Sequence, residues 1–420
     1  MNKITLKDSL RVITIPYKGT KTVSVIFLVG VGSRFETKKI TGLSHFLEHM
    51  VFKGTEKRST FHDITSAIDK VGGIINAFTG KEYTGFWSKV SAEHFDTALD
   101  IVADVVQNPK LDPKEIEKER GVICEEINMY EDTPRENVGF VFEEVIFPGN
   151  PLGWKQAGTK EAIRSIARQD FEEYLNRFYG ADNAVVVVAG NLDPDEAAKK
   201  VDTAFNLKIK KADKNYQKIS SIQQNPQNKI LIKPTEQAHF VLGLRGYGND
   251  HPQKYPSKIL GIILAGGMSS RLFDEIREKR GLAYYVKGFS HSYRDAGYFM
   301  VQAGVDNGKV EEAIKVILEE FEKMKKTGAT EAELSKAKEI FKGHLLIGME
   351  DSAELAEFYA TKELMDDRIK TVDEVIAEVE KVSLSDIAQV AKDLFQNKNL
   401  NLAAIGNIKN QNKIINLLEV

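Results

Sequence analysis

The chain has 420 residues, of which 42% are hydrophobic and 28% charged, with a formal net charge of −3. A mass of 47.1 kDa is too large for one ordinary hydrophobic core, so two or more domains are expected, and a pI near 6.3 excludes bulk attraction to nucleic acid or anionic membrane. The single cysteine, Cys124, excludes an internal disulfide and a cysteine-built zinc site, and fits a reducing, cytoplasmic compartment.

In chain order, the opening MNKITLKDSLRVITIPYK reads as strand, turn and strand rather than as a signal peptide. No segment reaches the roughly 20 apolar residues of a membrane span. The stretch GLSHFLEHMVFKGT, residues 42–55, has helical periodicity. At 100° per residue, Leu43, Phe46, Leu47, Met50 and Val51 form one apolar stripe, and His45, Glu48 and His49 fall together on the opposite side. Two histidines at i and i+4 can converge on one metal ion, while a solvated polar face is the bland alternative. A third ligand has to come from elsewhere, since the remaining histidines form no second cluster.

Next, GGIINAFTGKEYTGFW reads as a hairpin around Gly80 and Lys81. A long helix follows, DPKEIEKERGVICEEINMYED, with Asp112 and Pro113 as its start and Ile116, Ile123 and Ile127 as its inner stripe. Glu119 and Glu126 lie beside that stripe, about 10 Å apart along the axis, and Glu125 points away. Geometry therefore prefers Glu126 to its neighbour as a ligand, with Glu119 as a supporting partner.

The halves repeat at an offset near 216: DFEEYLNRFYGADNAVVVVAGNL (170–192) lines up with DIAQVAKDLFQNKNLNLAAIGNI (386–408), and two further helical segments match in the same order. The polar segment 208–229 between them reads as a linker. The expected fold is α+β: two homologous domains from an internal duplication, residues 1–215 and 216–420, each a mostly antiparallel sheet packed with helices. The second-half counterpart of the histidine helix, ILGIILAGGMSSRL, has neither histidine nor glutamate, so only the first half carries this chemistry.

His-x-x-Glu-His is the inverzincin signature. With HFLEHMVFKGT, INAFTGKEYTGFW and ERGVICEEI in this order, the chain strongly resembles, over essentially its whole length, the pitrilysin family of zinc metallopeptidases: insulin-degrading enzyme, mitochondrial processing peptidase and their short bacterial relatives. The resemblance implies one zinc ion per chain, bound by His45, His49 and Glu126, with Glu48 as general base on zinc-bound water and Glu119 behind the ligands. It implies Asn76 and Ala77 on an edge strand that pairs with substrate backbone, and Arg277 and Tyr284, in FDEIREKRGLAYYV, as groups reaching the substrate carbonyl from the second half. The function implied is an endopeptidase for peptides and unfolded segments in a closed chamber formed by a homodimer, without a nucleic-acid or membrane partner. The alternatives are a catalytic subunit dependent on a different partner subunit, and a non-catalytic scaffold subunit of a larger complex.

Overall fold

A computed structural model describes residues 1–207, 211–219, 223–366 and 368–420. Eleven strands are named in chain order among these residues: β1 Asn2–Thr5, β2 Arg11–Pro16, β3 Thr22–Val29, β4 Ile74–Thr79, β5 Thr84–Ser91, β6 Ala184–Gly190, β7 Gln227–Ile232, β8 Gln237–Gly246, β9 Ala283–Ser292, β10 Gly297–Asp306 and β11 Leu400–Gly406. They form a six-stranded sheet of order β1-β2-β6-β3-β5-β4 and a five-stranded sheet of order β7-β11-β8-β10-β9. Without β1 the two orders superimpose strand for strand. Each sheet has one parallel pair, β2 with β6 and β7 with β11, and is otherwise antiparallel. The internal duplication and the α+β class are therefore both visible in the topology. Helix Arg168–Phe178 followed by β6 recurs as helix Leu384–Leu394 followed by β11, where the sequence repeat places them.

The chain folds into two compact units, and neither is one continuous stretch. The first comprises Met1–Asn128, Trp154–Gln217 and Leu346–Lys370; the second comprises Met129–Gly153, Lys218–Leu345 and Thr371–Val420. In the first unit the period of two along β3 sorts its side chains between two cores. Val23, Val25, Phe27 and Val29 face a core that contains the histidine helix, while Ile26 and Leu28 face Leu355, Ala356, Tyr359 and Ala360 of helix Ser352–Met365, which comes from the second half of the sequence. In the second unit, helix Pro134–Ile146 of the first half returns the exchange: its Val138, Val141, Phe142 and Ile146 pack with Val241, Tyr298, Met300 and Ala403 of the sheet.

Within segment 208–229, positions 208–210 and 220–222 lie outside the described residues, and the units meet in sequence between Gln217 and Lys218. Among the described residues no helix is long and apolar enough to cross a membrane.

Candidate metal centre

All of the histidine and glutamate chemistry lies in the first unit. Its central element is helix Leu43–Met50. Gly42 precedes it at φ +92°, where a Cβ would come within 2.6 Å of the Ala157 carbonyl oxygen, so no other residue fits without strain. The helix N-terminus is held by a buried carboxylate: Glu36 accepts hydrogen bonds from the Gly42 and Ser44 backbone N–H groups, both at 2.7 Å, and from the Ser44 hydroxyl at 2.6 Å. Burial pushes the Glu36 carboxyl up to about 7, against the opposing pull of those hydrogen bonds and of Lys81. Leu43, Phe46, Leu47, Met50 and Val51 are buried, and Phe46 meets Phe171 edge-on at 4.9 Å. His45, Glu48 and His49 are half-buried on the other side, with the two imidazole centroids 4.6 Å apart.

The third group arrives on helix Pro113–Asp132, which begins with the Lys114 N–H donating to the Asp112 carboxylate at 2.8 Å. Ile116, Ile123 and Ile127 enter the core, and this fixes the rotation of the helix. Glu126 is thereby turned toward the histidines, and Glu125 is left exposed with Asn128 donating to it at 3.2 Å. His45 Nε2 lies 3.5 Å from Glu126 Oε1, and His49 Nε2 lies 3.7 Å from Glu126 Oε2. One donor atom from each of the three residues lies within 4.8 Å of the others.

These separations are long for hydrogen bonds. They suit the edges of a tetrahedron around an ion with bonds of about 2.0–2.2 Å, which are roughly 3.3–3.6 Å. Two imidazole nitrogens and a carboxylate are also the donor set that zinc takes in catalytic sites, so the residues fit that ion.

A further carboxylate stands behind the trio. His49 Nδ1–H donates to Glu119 Oε1 at 2.9 Å, a tautomer inferred from the partner, which leaves Nε2 as the nitrogen with a free lone pair. Glu119 is buried, and its other oxygen pairs with Lys53 Nζ at 2.5 Å. Burial opposes its ionisation, but His49 and Lys53 outweigh that cost and hold Glu119 below the usual carboxylate range. At His45, burial likewise opposes the charged form, and the carboxylates of Glu126, Glu48 and Glu36 outweigh it and raise its pKa.

Glu48 meets the hairpin. Its Oε2 accepts the hydroxyl proton of Thr79 at 2.5 Å, and Thr79 is the last residue of β4. β4 is an edge strand, bonded only to β5. Gly80 N–H donates to the Tyr83 carbonyl at 2.8 Å, and alternation from that pair turns the backbone groups of Ile75, Ala77 and Thr79 away from the sheet. Two of those groups have partners: the Asn76 side-chain oxygen accepts from Ala77 N–H at 2.9 Å, and Gln156 Nε2 donates to the Thr79 carbonyl at 3.0 Å.

Arg277 and Tyr284 lie in the second unit. The Arg277 guanidinium sits 4.9 Å over the Phe273 ring on helix Phe273–Lys279, Gly281 turns the chain at φ +55°, and Tyr284 on β9 is 75% exposed. The structure thus brings together His45, His49, Glu126, Glu48 and Glu119, and sets Asn76 and Ala77 on the strand that ends against Glu48. The sequence patterns do not single out Thr79, Lys53, Gln156 or Glu36: the partners of the first three are distant in sequence, and Glu36 holds the nearby Gly42 and Ser44 from outside the quoted motif.

Known proteins resemble this chain along nearly its whole length. Residues 11–159 match the family model described as Insulinase (Peptidase family M16), and residues 165–341 match that described as Peptidase M16 inactive domain. A protein of Bacillus subtilis, named as an uncharacterized zinc protease, is 35% identical over 94% of this chain and 96% of its own length. A Streptomyces coelicolor protein of the same description is 33% identical over 98% of this chain and 90% of its own. Among solved structures, a protease from Helicobacter pylori superimposes with a TM-score of 0.90 at 25% identity, covering 96% of this chain and 99% of that one. With both halves matched in order and relatives aligned nearly end to end, the chain belongs to peptidase family M16.

Proposed function

We propose that this chain is a zinc-dependent endopeptidase acting on peptides and unfolded segments, with His45, His49 and Glu126 as the zinc ligands and Glu48 as the general base. The observation that carries this reading is the convergence of two imidazole Nε2 atoms and one carboxylate within 4.8 Å, beside a second carboxylate on the same helix turn. When bound, zinc would polarise the scissile carbonyl and bring the pKa of water toward neutrality. Glu48 then takes a proton from the attacking water and passes it to the leaving amine. Glu119 orients His49 and keeps its lone pair on Nε2, and Lys53 holds Glu119 in the charged form that can do so.

The outward backbone groups of Ile75 and Ala77 can receive an extended peptide by strand addition, with the Asn76 side chain yielding the Ala77 N–H to it. Arg277 and Tyr284, both exposed on the second unit, are assigned to the substrate carbonyl through a homodimer that encloses the peptide. A complete donor set with an adjacent base weighs against a scaffold role, and zinc and Arg/Tyr elements on one chain weigh against dependence on a different subunit.

Glu48→Gln tests the reading: zinc content and peptide binding are retained, and turnover falls by about 10²–10⁴. Undiminished hydrolysis by the purified variant would overturn it. Gel filtration joined to a peptidase assay on the purified chain reports whether it acts without another subunit.

A further inference from the structure

We infer that Thr79 is a positioning residue for the general base, an assignment that rests on the reading of Glu48 as that base. Thr79 Oγ1 lies 2.5 Å from Glu48 Oε2 and 3.5 Å from the Ser44 carbonyl oxygen. A hydroxyl has one proton to give, and the nearer, charged acceptor takes it. Glu48 Oε2 is then committed to the hairpin, and Oε1 is the oxygen left to exchange a proton with water. Without that tie, a half-buried glutamate on the polar side of a helix has three side-chain torsions through which to move its carboxylate.

The anchor is itself held firmly. Threonine is stiff at χ1, and the carbonyl of Thr79 is fixed by Gln156. Beyond it, the turn is tied down residue by residue. The Gly80 carbonyl accepts from Ser33 N–H at 3.2 Å, and the Lys81 carbonyl accepts from Arg34 N–H at 2.8 Å. Lys81 Nζ donates to the Trp154 carbonyl, and Glu82 forms a fully buried ion pair with Arg34 at 2.5 Å. A Cβ on Gly32 would sit 2.2 Å from the Gly80 carbonyl oxygen, so the loop before the motif helix and this turn are in direct backbone contact.

Such a network exceeds what a surface hairpin needs. Its effect is to fix the end of β4 against the helix that carries Glu48. The same strand turns the backbone groups of Ile75 and Ala77 outward, so a peptide paired along it would lie in one register relative to the base. Thr79 thereby links strand position to base position.

Thr79→Val keeps the branched shape and loses the proton, and Thr79→Ser keeps the proton. For Thr79→Val, kcat is expected to fall about 10- to 100-fold, the cost of a misplaced catalytic group, with KM, zinc stoichiometry and thermal midpoint unchanged. Thr79→Ser is expected to stay within about threefold of wild type on the same ground. Crystals of the metal-free Thr79→Val chain should show the Glu48 side chain over more than one rotamer. In a Glu48→Gln background Thr79→Val should cost nothing further, because the two substitutions remove one function. Thr79→Ala provides the same comparison should valine prevent folding.

Equal kcat for the valine and serine variants would overturn the assignment, as would a loss carried by KM or by zinc content. If Glu48→Gln itself stays active, the reading of the base has failed. If Glu48→Gln is inactive and Thr79→Val is not, only the role of Thr79 has failed.

Discussion

Replacing Glu126, Glu119 and Glu125 by glutamine, one at a time, should lower zinc affinity in that order. The three sit on one helix within eight residues, so the ranking depends on helix rotation and not on local composition. Glu126 faces both Nε2 atoms, at 3.5 and 3.7 Å, and its replacement turns an anionic ligand into a neutral amide. Glu119 acts one bond further out, through the 2.9 Å hydrogen bond to His49, and removal of such a partner costs about 10- to 100-fold in affinity. Loss of a ligand must exceed that, so Glu126→Gln is expected to weaken zinc by more than about 100-fold, or about 3 kcal/mol. Glu125 is exposed and bonded to Asn128, where a solvent-screened charge contributes less than about 1 kcal/mol, so its replacement should change affinity less than about fivefold. Competition titration against a chromophoric chelator measures all three, with thermal unfolding of the metal-free chains as the control for folding. Equal losses for Glu125→Gln and Glu126→Gln would refute the assignment of helix face, and a larger loss for Glu119→Gln would exchange ligand and support.

The buried Glu36 makes stability pH-dependent. Burial lifts its carboxyl from about 4.5 in the unfolded chain to about 7 in the folded one, so its contribution is fully present below about 4.5 and is lost as pH rises through about 7. Between pH 5 and pH 8 the metal-free wild type should lose about 2–3 kcal/mol that Glu36→Gln does not lose, read from paired urea titrations; parallel pH profiles for the two chains would remove Glu36 as the cause. His45 titrates in the same direction, and because the Glu36 carboxylate helps to raise its pKa, part of the difference between the two chains is carried through His45. The proposed dimer is tested by mixing Glu48→Gln with Tyr284→Phe. If Tyr284 serves the partner's zinc site, random exchange makes about half the dimers mixed, each with one intact site, and recovers roughly one quarter of wild-type activity. No recovery despite demonstrated exchange would refute the crossed arrangement.

The parts of the site that were legible in the sequence are those fixed by helical period. A stripe of Leu43, Phe46, Leu47, Met50 and Val51 can be buried in only one way, and burying it puts His45, Glu48 and His49 on the other side. The same reasoning separated Glu126 from Glu125. The hairpin around Gly80 and Lys81 and the order of repeated elements were legible from turn residues and from the offset between halves. The exchange of helices between units was not legible. Val138, Val141, Phe142 and Ile146 announce an apolar face but carry no address, and which sheet receives it depends on contacts remote in sequence. The bond from Thr79 to Glu48 was hidden for a similar reason, since it depends on strand register and on where a turn ends.

Why only one copy of the duplicated scaffold carries the histidine and glutamate cluster follows from packing around the counterpart helix, Lys254–Ala265. Ile259, Leu260, Ile263 and Leu264 are buried, and so are Tyr255, Pro256, Ser257 and Gly261. At Gly261 a Cβ would make ordinary van der Waals contact with the Phe289 Cα of β9, at 3.4 Å, and the Ser257 and Ser290 hydroxyls sit 2.6 Å apart across the same seam. A helix buried on nearly every side and pressed onto its strand through small residues has no polar face to offer. Helix Leu43–Met50 is shorter, stops at a single buried stripe, and meets its edge strand through Thr79 and Glu48. The second copy fills its helix–hairpin seam with buried apolar and small residues, whereas the first keeps a half-buried face on which His45 and His49 face Glu126 and Glu48 meets Thr79.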